Sequence, residues 1–252
     1  MNILRTILTI LWRIWFYILL VLPILVMFPV LVVFSSAERL YPKYYICARI
    51  WAKCILYGMG FYPEIKRMQQ LDPKKNYMLV ANHTSMIDIM MMLVIIKQPF
   101  IFVGKRELAK IPVFGFFYRK TNITVDRNCA KSKQDVVTEA RRRLDMGESI
   151  CIFPEGGVPG DRSLVLDSFK DGAFRLAIAH QIPIVPITFY DNKKRFSYKF
   201  VSGGPGKLRV KIHEFITTKG MQPADRKKLR NQTHQVIFEE LTKDLEQKNP
   251  SK

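Results

Sequence analysis

The sequence predicts an α/β domain with a mixed, largely parallel sheet flanked by helices, preceded by a pair of N-terminal apolar membrane-anchoring helices. Three observations support this fold class. The first sixty residues are far more apolar than the rest, short β-rich runs then alternate with helical patterns, and 252 residues can bury one sizeable core. We therefore expect anchoring helices in residues 1–60 and an α/β domain with a C-terminal helix in residues 61–252.

The N-terminal apolar stretch is long enough to cross a bilayer. Ile14 to Phe34 is uncharged and meets the criterion of about 20 apolar residues, although Pro23 and Pro29 interrupt it. A second apolar helix is predicted from about Tyr44 to Tyr57. Basic residues flank the first segment on both sides, so the positive-inside rule gives no orientation. This predicts a re-entrant or in-plane anchor with both ends on the cytoplasmic face, and a cleaved signal peptide is the disfavoured alternative.

The remainder of the chain alternates between strand and helix patterns. Strands are predicted at Tyr77–Ala81, Phe100–Val103, Asn122–Val125, Ile150–Phe153, Ile184–Phe189 and Leu208–Ile212. Helices are predicted from Ser85 to about Ile96, from Ser132 to near Gly147, over about Phe169 to His180, and after Pro223. The second of these has Asp135 as the capping-box partner of Ser132. Such alternation favours a largely parallel sheet.

The net charge narrows the classes of molecule that the chain is expected to bind. A formal net charge of +19 favours anionic partners, namely lipid head groups, phosphorylated substrates, acidic carrier proteins or nucleic acid. No nucleic-acid recognition motif is present and the apolar anchor fits a membrane, so we expect an anionic membrane surface and no nucleic acid. The four cysteines form no C-x-x-C pair. Their spacing therefore indicates neither a zinc site nor a disulfide framework. We expect no metal and no cofactor.

A histidine and a carboxylate follow the first predicted strand of the domain. His83 and Asp88 stand at H-x4-D spacing, directly after Asn82. A histidine oriented by a carboxylate can take a proton from a hydroxyl. The chain has no obvious nucleophile beside this pair, which points to a substrate hydroxyl as the attacking group. In a compatible alternative, Ser85 and Asp88 form a capping box, and Asp88 bonds a backbone N–H at the helix start.

A second polar turn follows another predicted strand. Phe153-Pro154-Glu155-Gly156-Gly157 stands at the end of the apolar run Ile150–Phe153. Functional sites collect at the ends of strands in α/β sheets, so Glu155 is a candidate site residue. The alternative is that Glu155 only caps a loop.

These blocks resemble four motifs of the glycerolipid acyltransferases of the 1-acyl-glycerol-3-phosphate acyltransferase type. The matching blocks are Asn82–Asp88, Gly104–Leu108 with Pro112, Gly115 and Val125–Arg127, then Phe153–Gly156, and finally Ile184–Ile187. H-x4-D alone is a weak signal, whereas four blocks in the right order are a strong one. The resemblance covers roughly Lys75 to Phe215.

The resemblance implies an enzyme of phospholipid biosynthesis on the cytoplasmic face of a membrane. It moves a fatty acyl group from acyl-coenzyme A or acyl carrier protein to a lysophospholipid acceptor, 1-acyl-glycerol-3-phosphate, giving phosphatidate. His83 is then the general base and Asp88 orients its ring. The turn at Glu155, Gly156 and Gly157 contributes to substrate binding through backbone N–H groups, and the implied phosphate-binding cations are Lys105, Arg127 and Arg162.

The third motif departs from the family pattern. Gly157 and Val158 stand where the family has Thr and Arg, and Arg162 is expected to supply the cation from a longer loop. This keeps another acceptor open, such as a lyso-aminolipid or a different lysophospholipid. A non-catalytic membrane scaffold is a further alternative, but it would not need a His–Asp pair. A serine hydrolase is disfavoured because the chain has no G-x-S-x-G.

Overall fold

A computed structural model describes residues 3–126, 129–159 and 163–248 of the chain. The helices in these ranges are α1 (Ile3–Phe34), α2 (Tyr41–Gly58), α3 (Ile87–Ile95), α4 (Phe114–Thr121), α5 (Ala130–Asp145), α6 (Gly172–Ala179), α7 (Asn192–Arg195) and α8 (Arg226–Lys248). The strands are β1 (Phe61–Arg67), β2 (Met78–Ala81), β3 (Phe100–Lys105), β4 (Ile123–Val125), β5 (Ser149–Ile152), β6 (Ile184–Phe189) and β7 (Gly206–Ile212).

The strands form one seven-stranded sheet in the order β1-β7-β6-β2-β5-β3-β4. The run from β6 through β2, β5 and β3 to β4 is parallel, whereas β7 is antiparallel to β6. Within this sheet Val80 pairs with Ile152 on one side and with Pro186 on the other. The predicted fold class, a mixed and largely parallel sheet flanked by helices, is therefore confirmed.

The described chain divides into two compact units. The first is made of Met1–Ile65, Thr84–Pro99 and Asp191–Arg209, and it contains α1, α2, α3 and α7. The second is made of Lys66–His83, Phe100–Tyr190 and Val210–Lys252, and it contains β2 to β6 with the remaining helices. The predicted boundary at residue 60 stays a prediction.

Within the first unit, α1 and α2 run antiparallel and are joined by hydrogen bonds from tryptophan indole N–H groups. The Trp15 indole donates to the carbonyl of Gly58 at 2.9 Å, and the Trp51 indole donates to the carbonyl of Leu20 at 3.0 Å. Helix α1 has a mean hydropathy of 2.9 over its most apolar window, of which only 11% is buried. It is long and apolar enough to cross a membrane, which indicates that the chain associates with one.

Helix α1 begins at Ile3, eleven residues before the uncharged stretch that starts at Ile14, because the helix continues through Arg13. The Arg13 side chain is 3% exposed, and its Nη2 donates to backbone carbonyls within the same unit, the nearest being Ser202 at 2.7 Å. The helix also continues through Pro23 and Pro29. A charged residue is tolerated in an apolar helix when backbone carbonyls accept hydrogen bonds from it in this way.

Other elements also differ from the predictions. Strand β1 was not predicted; it contains Pro63, which is tolerated because β1 ends the strand order and an edge strand can accommodate proline. The short helices α4 and α7 were also not predicted. The capping box at Ser132 was wrong: α5 begins at Ala130, and the Ser132 hydroxyl accepts from the Asp126 amide at 2.9 Å instead.

A buried histidine in the second unit makes folding pH-dependent. The Nε2 atom of His213 lies 2.8 Å from the Thr188 hydroxyl, and burial lowers the pKa of the His213 imidazole to about 4. Between pH 6.5 and pH 4 the unfolded chain takes up a proton at His213 that the folded chain does not. The unfolding free energy therefore falls as the pH falls through this window, by about 2 kcal/mol between pH 7 and pH 5.

Denaturant unfolding of His213→Gln in detergent across pH 7 to pH 5 measures this contribution. We expect the variant to lose less stability than the wild-type chain on acidification, because it has no imidazole to protonate. Equal pH slopes for the two proteins would show that His213 does not contribute.

The anchor prediction is tested by thiol labelling in sealed vesicles. With the exposed Cys54 and Cys129 replaced by serine, Arg5→Cys and Lys248→Cys each provide one accessible thiol. We expect an impermeant reagent to label both positions from the same side, as a re-entrant anchor requires. Labelling from opposite sides would indicate a helix that spans the membrane.

Candidate active site

Five of the predicted site residues lie at one edge of the sheet in the second unit, namely His83, Lys105, Glu155, Gly156 and Gly157. Since β2, β5, β3 and β4 are parallel, their carboxyl ends lie at the same edge. His83 follows β2, the turn from Phe153 to Gly157 follows β5, and Lys105 is the last residue of β3. Ligand sites in open α/β sheets form at this edge.

Glu155 joins the backbone at His83 to two other segments. His83 and Glu155 each lie three residues beyond the paired Val80 and Ile152. The His83 amide donates to Glu155 Oε1 at 2.6 Å, and the Asp167 amide donates to Oε2 at 3.1 Å. The Glu155 side chain is only 5% exposed. Its carboxylate therefore acts as a buried acceptor of backbone N–H groups, which holds the turn after β5 against the end of β2.

The His83 ring is held by an aromatic stack. Phe153 lies parallel to it, with a centroid distance of 4.3 Å and an interplanar angle of 19°. Phe102 stacks on the same Phe153 ring at 6.3 Å. Because stacking covers a face of the imidazole and the ring nitrogens lie at its edge, this contact fixes the ring plane without using either nitrogen.

The amide side chain of Asn82, directly before His83, donates one hydrogen bond to the backbone of Phe189 and accepts another from it. Its Nδ2 donates to the Phe189 carbonyl at 3.0 Å, and its Oδ1 accepts from the Phe189 amide at 2.8 Å. Both bonds are buried. They clamp the end of β2 to the last residue of β6 and so fix the point at which His83 leaves the sheet.

Asp88 lies in the first unit, in the first turn of α3, and is completely buried. Its Oδ2 accepts from the amides of Thr84 at 2.7 Å and Ser85 at 2.9 Å. Its Oδ1 accepts from Asn192 Nδ2 at 2.7 Å. The carboxylate half of the predicted capping box is thus present, and α3 begins at Ile87 rather than at Ser85. These donors fix the carboxylate relative to the backbone that directly follows His83 in sequence.

The turn after β5 requires glycine at position 156. Gly156 has a φ of +83°, and a Cβ atom there would lie 2.5 Å from Lys170 Nζ. The Gly156 amide donates to the Phe153 carbonyl at 3.0 Å, so it is already used within the turn. Of the two glycine amides predicted to contribute to substrate binding, that of Gly157 is therefore the better candidate.

The structure places a cation, Lys170, beside the turn after β5, and the sequence analysis did not predict it. Lys170 is exposed, its amide donates to the Pro154 carbonyl at 2.9 Å, and its ammonium lies over Gly156. Lys170 lies thirteen positions after Gly157 in the sequence, and no local pattern links the two residues. Lys105 is exposed at the end of β3 and pairs in register with Val125. The other two predicted cations, Arg127 and Arg162, lie outside the described residues.

Comparison with known proteins assigns the family. A family model described as Acyltransferase matches residues 63–190, just over half of the chain. The chain therefore belongs to the acyltransferase family, and its reaction class is that of an O-acyltransferase.

Named relatives and a solved structure agree with this assignment. The chain is 29% identical to mouse 1-acyl-sn-glycerol-3-phosphate acyltransferase alpha over 199 residues, 75% of this chain and 67% of that protein. It is 34% identical to the Escherichia coli K12 1-acyl-sn-glycerol-3-phosphate acyltransferase over 134 residues, 51% of this chain and 52% of that protein. The matched parts thus span about half to two thirds of these relatives. A crystal structure of the 1-acyl-sn-glycerophosphate acyltransferase from Thermotoga maritima shares the fold, with a TM-score of 0.76, 22% identity, and coverage of 95% of this chain and 97% of that one.

Removal of the Glu155 carboxylate should destabilise the folded chain. Glu155→Ala leaves the part-buried amides of His83 and Asp167 without their acceptor, and a hydrogen bond to a charged group is worth about 1.5–3 kcal/mol. We expect a lower Tm in detergent and loss of acyl transfer, with Glu155→Gln intermediate in stability because its amide oxygen replaces one acceptor. Glu246→Gln, at an exposed position on α8, is the matched control. A Glu155→Ala variant that melts at the wild-type temperature would contradict this role.

Proposed function

We propose that the chain transfers a fatty acyl group from an acyl thioester to the free hydroxyl of 1-acyl-glycerol-3-phosphate, giving phosphatidate at the cytoplasmic face of a membrane. The observation that carries the proposal is the junction of His83 with the Glu155 turn, joined by a 2.6 Å hydrogen bond at the carboxyl edge of the sheet. The names of the relatives support the acceptor. Acyl-coenzyme A and acyl carrier protein are both candidate donors.

The proposed chemistry uses the substrate hydroxyl as the nucleophile. A thioester is already activated, because a thiolate leaves more easily than an alkoxide. The hydroxyl oxygen attacks the carbonyl carbon while His83 takes its proton. The C–S bond then breaks, and the leaving thiolate takes that proton from the imidazolium. General-base assistance of this kind is worth roughly 10²–10⁴ in rate.

Asp88 is proposed to orient the His83 ring. A buried carboxylate next to a catalytic histidine fixes its tautomer and stabilises the imidazolium that forms during attack. The anchoring of Asp88 by Thr84, Ser85 and Asn192 supports this role, because a carboxylate with three fixed donors keeps one position throughout the reaction. The Gly157 amide is the proposed donor to the thioester oxyanion.

Cations at the same edge of the sheet are proposed to bind the acceptor phosphate. Lys105 at the end of β3 and Lys170 over Gly156 belong to the second unit, as does His83. Arg127 and Arg162 are proposed to join them. Charge-assisted hydrogen bonds suit a phosphate monoester. Lys170 then supplies the cation that the family arginine would supply at position 158, because Val158 cannot bind an anion.

A second candidate function keeps the reaction and changes the acceptor. The replacement of the family arginine by Val158 favours a lysolipid without a phosphate monoester, such as a lyso-aminolipid. Purified protein in detergent, offered a panel of lysolipids with each thioester donor and analysed by mass spectrometry, separates the candidates. We expect phosphatidate as the main product. A product only from another lysolipid would replace the proposed acceptor, and no product from any pair would favour a non-catalytic scaffold.

Substitution of the His–Asp pair tests the mechanism. We expect His83→Ala to abolish acyl transfer and Asp88→Asn to lose most of it, because the amide stabilises the wrong tautomer of His83. Both variants should remain folded and membrane-bound, as measured by thermal melting and fractionation. His180→Ala, on a histidine at the end of α6, is the control for loss of an imidazole. Wild-type turnover in His83→Ala would show that His83 is not the general base.

The proposed phosphate contacts are tested by acceptor kinetics. We expect Lys170→Ala, Arg162→Ala, Lys105→Ala and Arg127→Ala each to raise mainly the KM for lysophosphatidate. The loss of one hydrogen bond to a charged group lowers kcat/KM by about one to two decades. The same variants should change the kinetics of an acceptor without a phosphate monoester very little.

Lys219→Ala, at an exposed position of the second unit, controls for a general change of surface charge. If one of the four variants leaves lysophosphatidate kinetics untouched, that residue is not a phosphate contact.

A further inference from the structure

Arg13 places a charge in an otherwise apolar anchor helix and buries it. Its Nη2 lies 2.7, 2.9 and 3.2 Å from the carbonyl oxygens of Ser202, Ser197 and Lys199, respectively. These three carbonyls belong to one loop, which follows α7. A buried guanidinium that binds one loop through several carbonyls fixes the position of that loop.

The same loop packs on α1 through Phe196. The guanidinium carbon of Arg13 lies 3.9 Å from the centroid of the Phe196 ring, and the Phe16 ring lies 4.3 Å from it. The Trp12 ring contacts Phe196 edge-on at 5.6 Å. We name residues 192–202 the support segment. Contacts from two successive turns of α1 thus hold its centre and its end.

The other end of the support segment reaches Asp88. Asn192, the first residue of α7, donates from Nδ2 to Asp88 Oδ1 at 2.7 Å, and both side chains are completely buried. The Ser85 hydroxyl donates to the Phe196 carbonyl, and the Ser85 amide donates to Asp88 Oδ2. Two routes therefore connect α1 to the carboxylate, one through Asn192 and one through Phe196 and Ser85.

We infer that Arg13 is a positioning residue, and that the anchor helix holds Asp88 in place through the support segment. Helix α1 is then part of the frame of the active site as well as a membrane anchor. The inference rests on the proposed function, because that proposal gives Asp88 its role toward His83. It also accounts for an arginine that the anchoring of an apolar helix does not require.

The expected effect is on kcat. Without the guanidinium the three carbonyls lose their donor, the support segment can shift on α1, and Asn192 no longer holds Asp88 in one position. A shift of about 1 Å in a catalytic group can cost about 100-fold in rate. The KM for the acceptor should change little, because the proposed phosphate contacts at Lys105 and Lys170 lie outside the support segment.

The test uses the full-length chain in detergent with lysophosphatidate and an acyl thioester. We expect Arg13→Met to lower kcat by at least about 10-fold, and Arg13→Lys to recover part of it, because an ammonium replaces the charge but not the planar fork. Arg5→Ala, at an exposed position of the same helix, is the matched control and should keep wild-type kinetics. Membrane fractionation should be unchanged for every variant.

A double-mutant cycle separates positioning from a general loss of structure. If Arg13 acts through Asp88, Arg13→Lys should lower kcat in the wild-type background and cause little further loss in the Asp88→Asn background. Wild-type kcat in Arg13→Lys, or the same fold-loss in both backgrounds, would overturn the inference. If the Arg13→Met protein is not produced in folded form, the Arg13→Lys variant alone tests the inference. A wild-type chain that acylates no lysolipid would instead refute the proposed function.

Discussion

The site depends on one buried carboxylate. Glu155 accepts the His83 amide on one oxygen and the Asp167 amide on the other, so three separate segments meet at a single charge. A buried carboxylate is stable only when donors surround it, and here those donors are the backbone of the residues to be positioned. The Phe153 ring against His83 and the lysine over Gly156 both belong to segments that this carboxylate holds.

Much of the fold and the site could be predicted from local patterns. Strand β6 has the predicted bounds, Ile184–Phe189, because a fully buried parallel strand is a continuous apolar run. The positions of His83 and the Glu155 turn were predicted as the residues that follow two such runs, and the parallel register places them side by side. Asp88 was predicted as both helix cap and ring partner, since one carboxylate has acceptor sites for several donors.

The contacts that complete the site could not be predicted, because they join distant parts of the chain. Asn192 bonds Asp88 across 104 residues, and Arg13 bonds Ser202 across 189. Neither residue has a local pattern that marks it, and in the sequence Arg13 is only one of the basic residues that flank the apolar segment. Lys170 follows a long loop, and the sequence of that loop does not show that the lysine lies next to Gly156 in the fold. Local periodicity therefore indicates strand ends, whereas side chains that arrive from other segments require the fold.

The central claim is that the acceptor hydroxyl attacks the thioester directly at His83, with no acyl group carried on the protein. Intact-protein mass spectrometry tests this most directly, after the purified enzyme is mixed with an acyl thioester in the absence of acceptor. The account predicts an unmodified protein mass and release of thiol only after lysophosphatidate is added. A protein mass increased by one acyl group, which then disappears as phosphatidate forms, would contradict it.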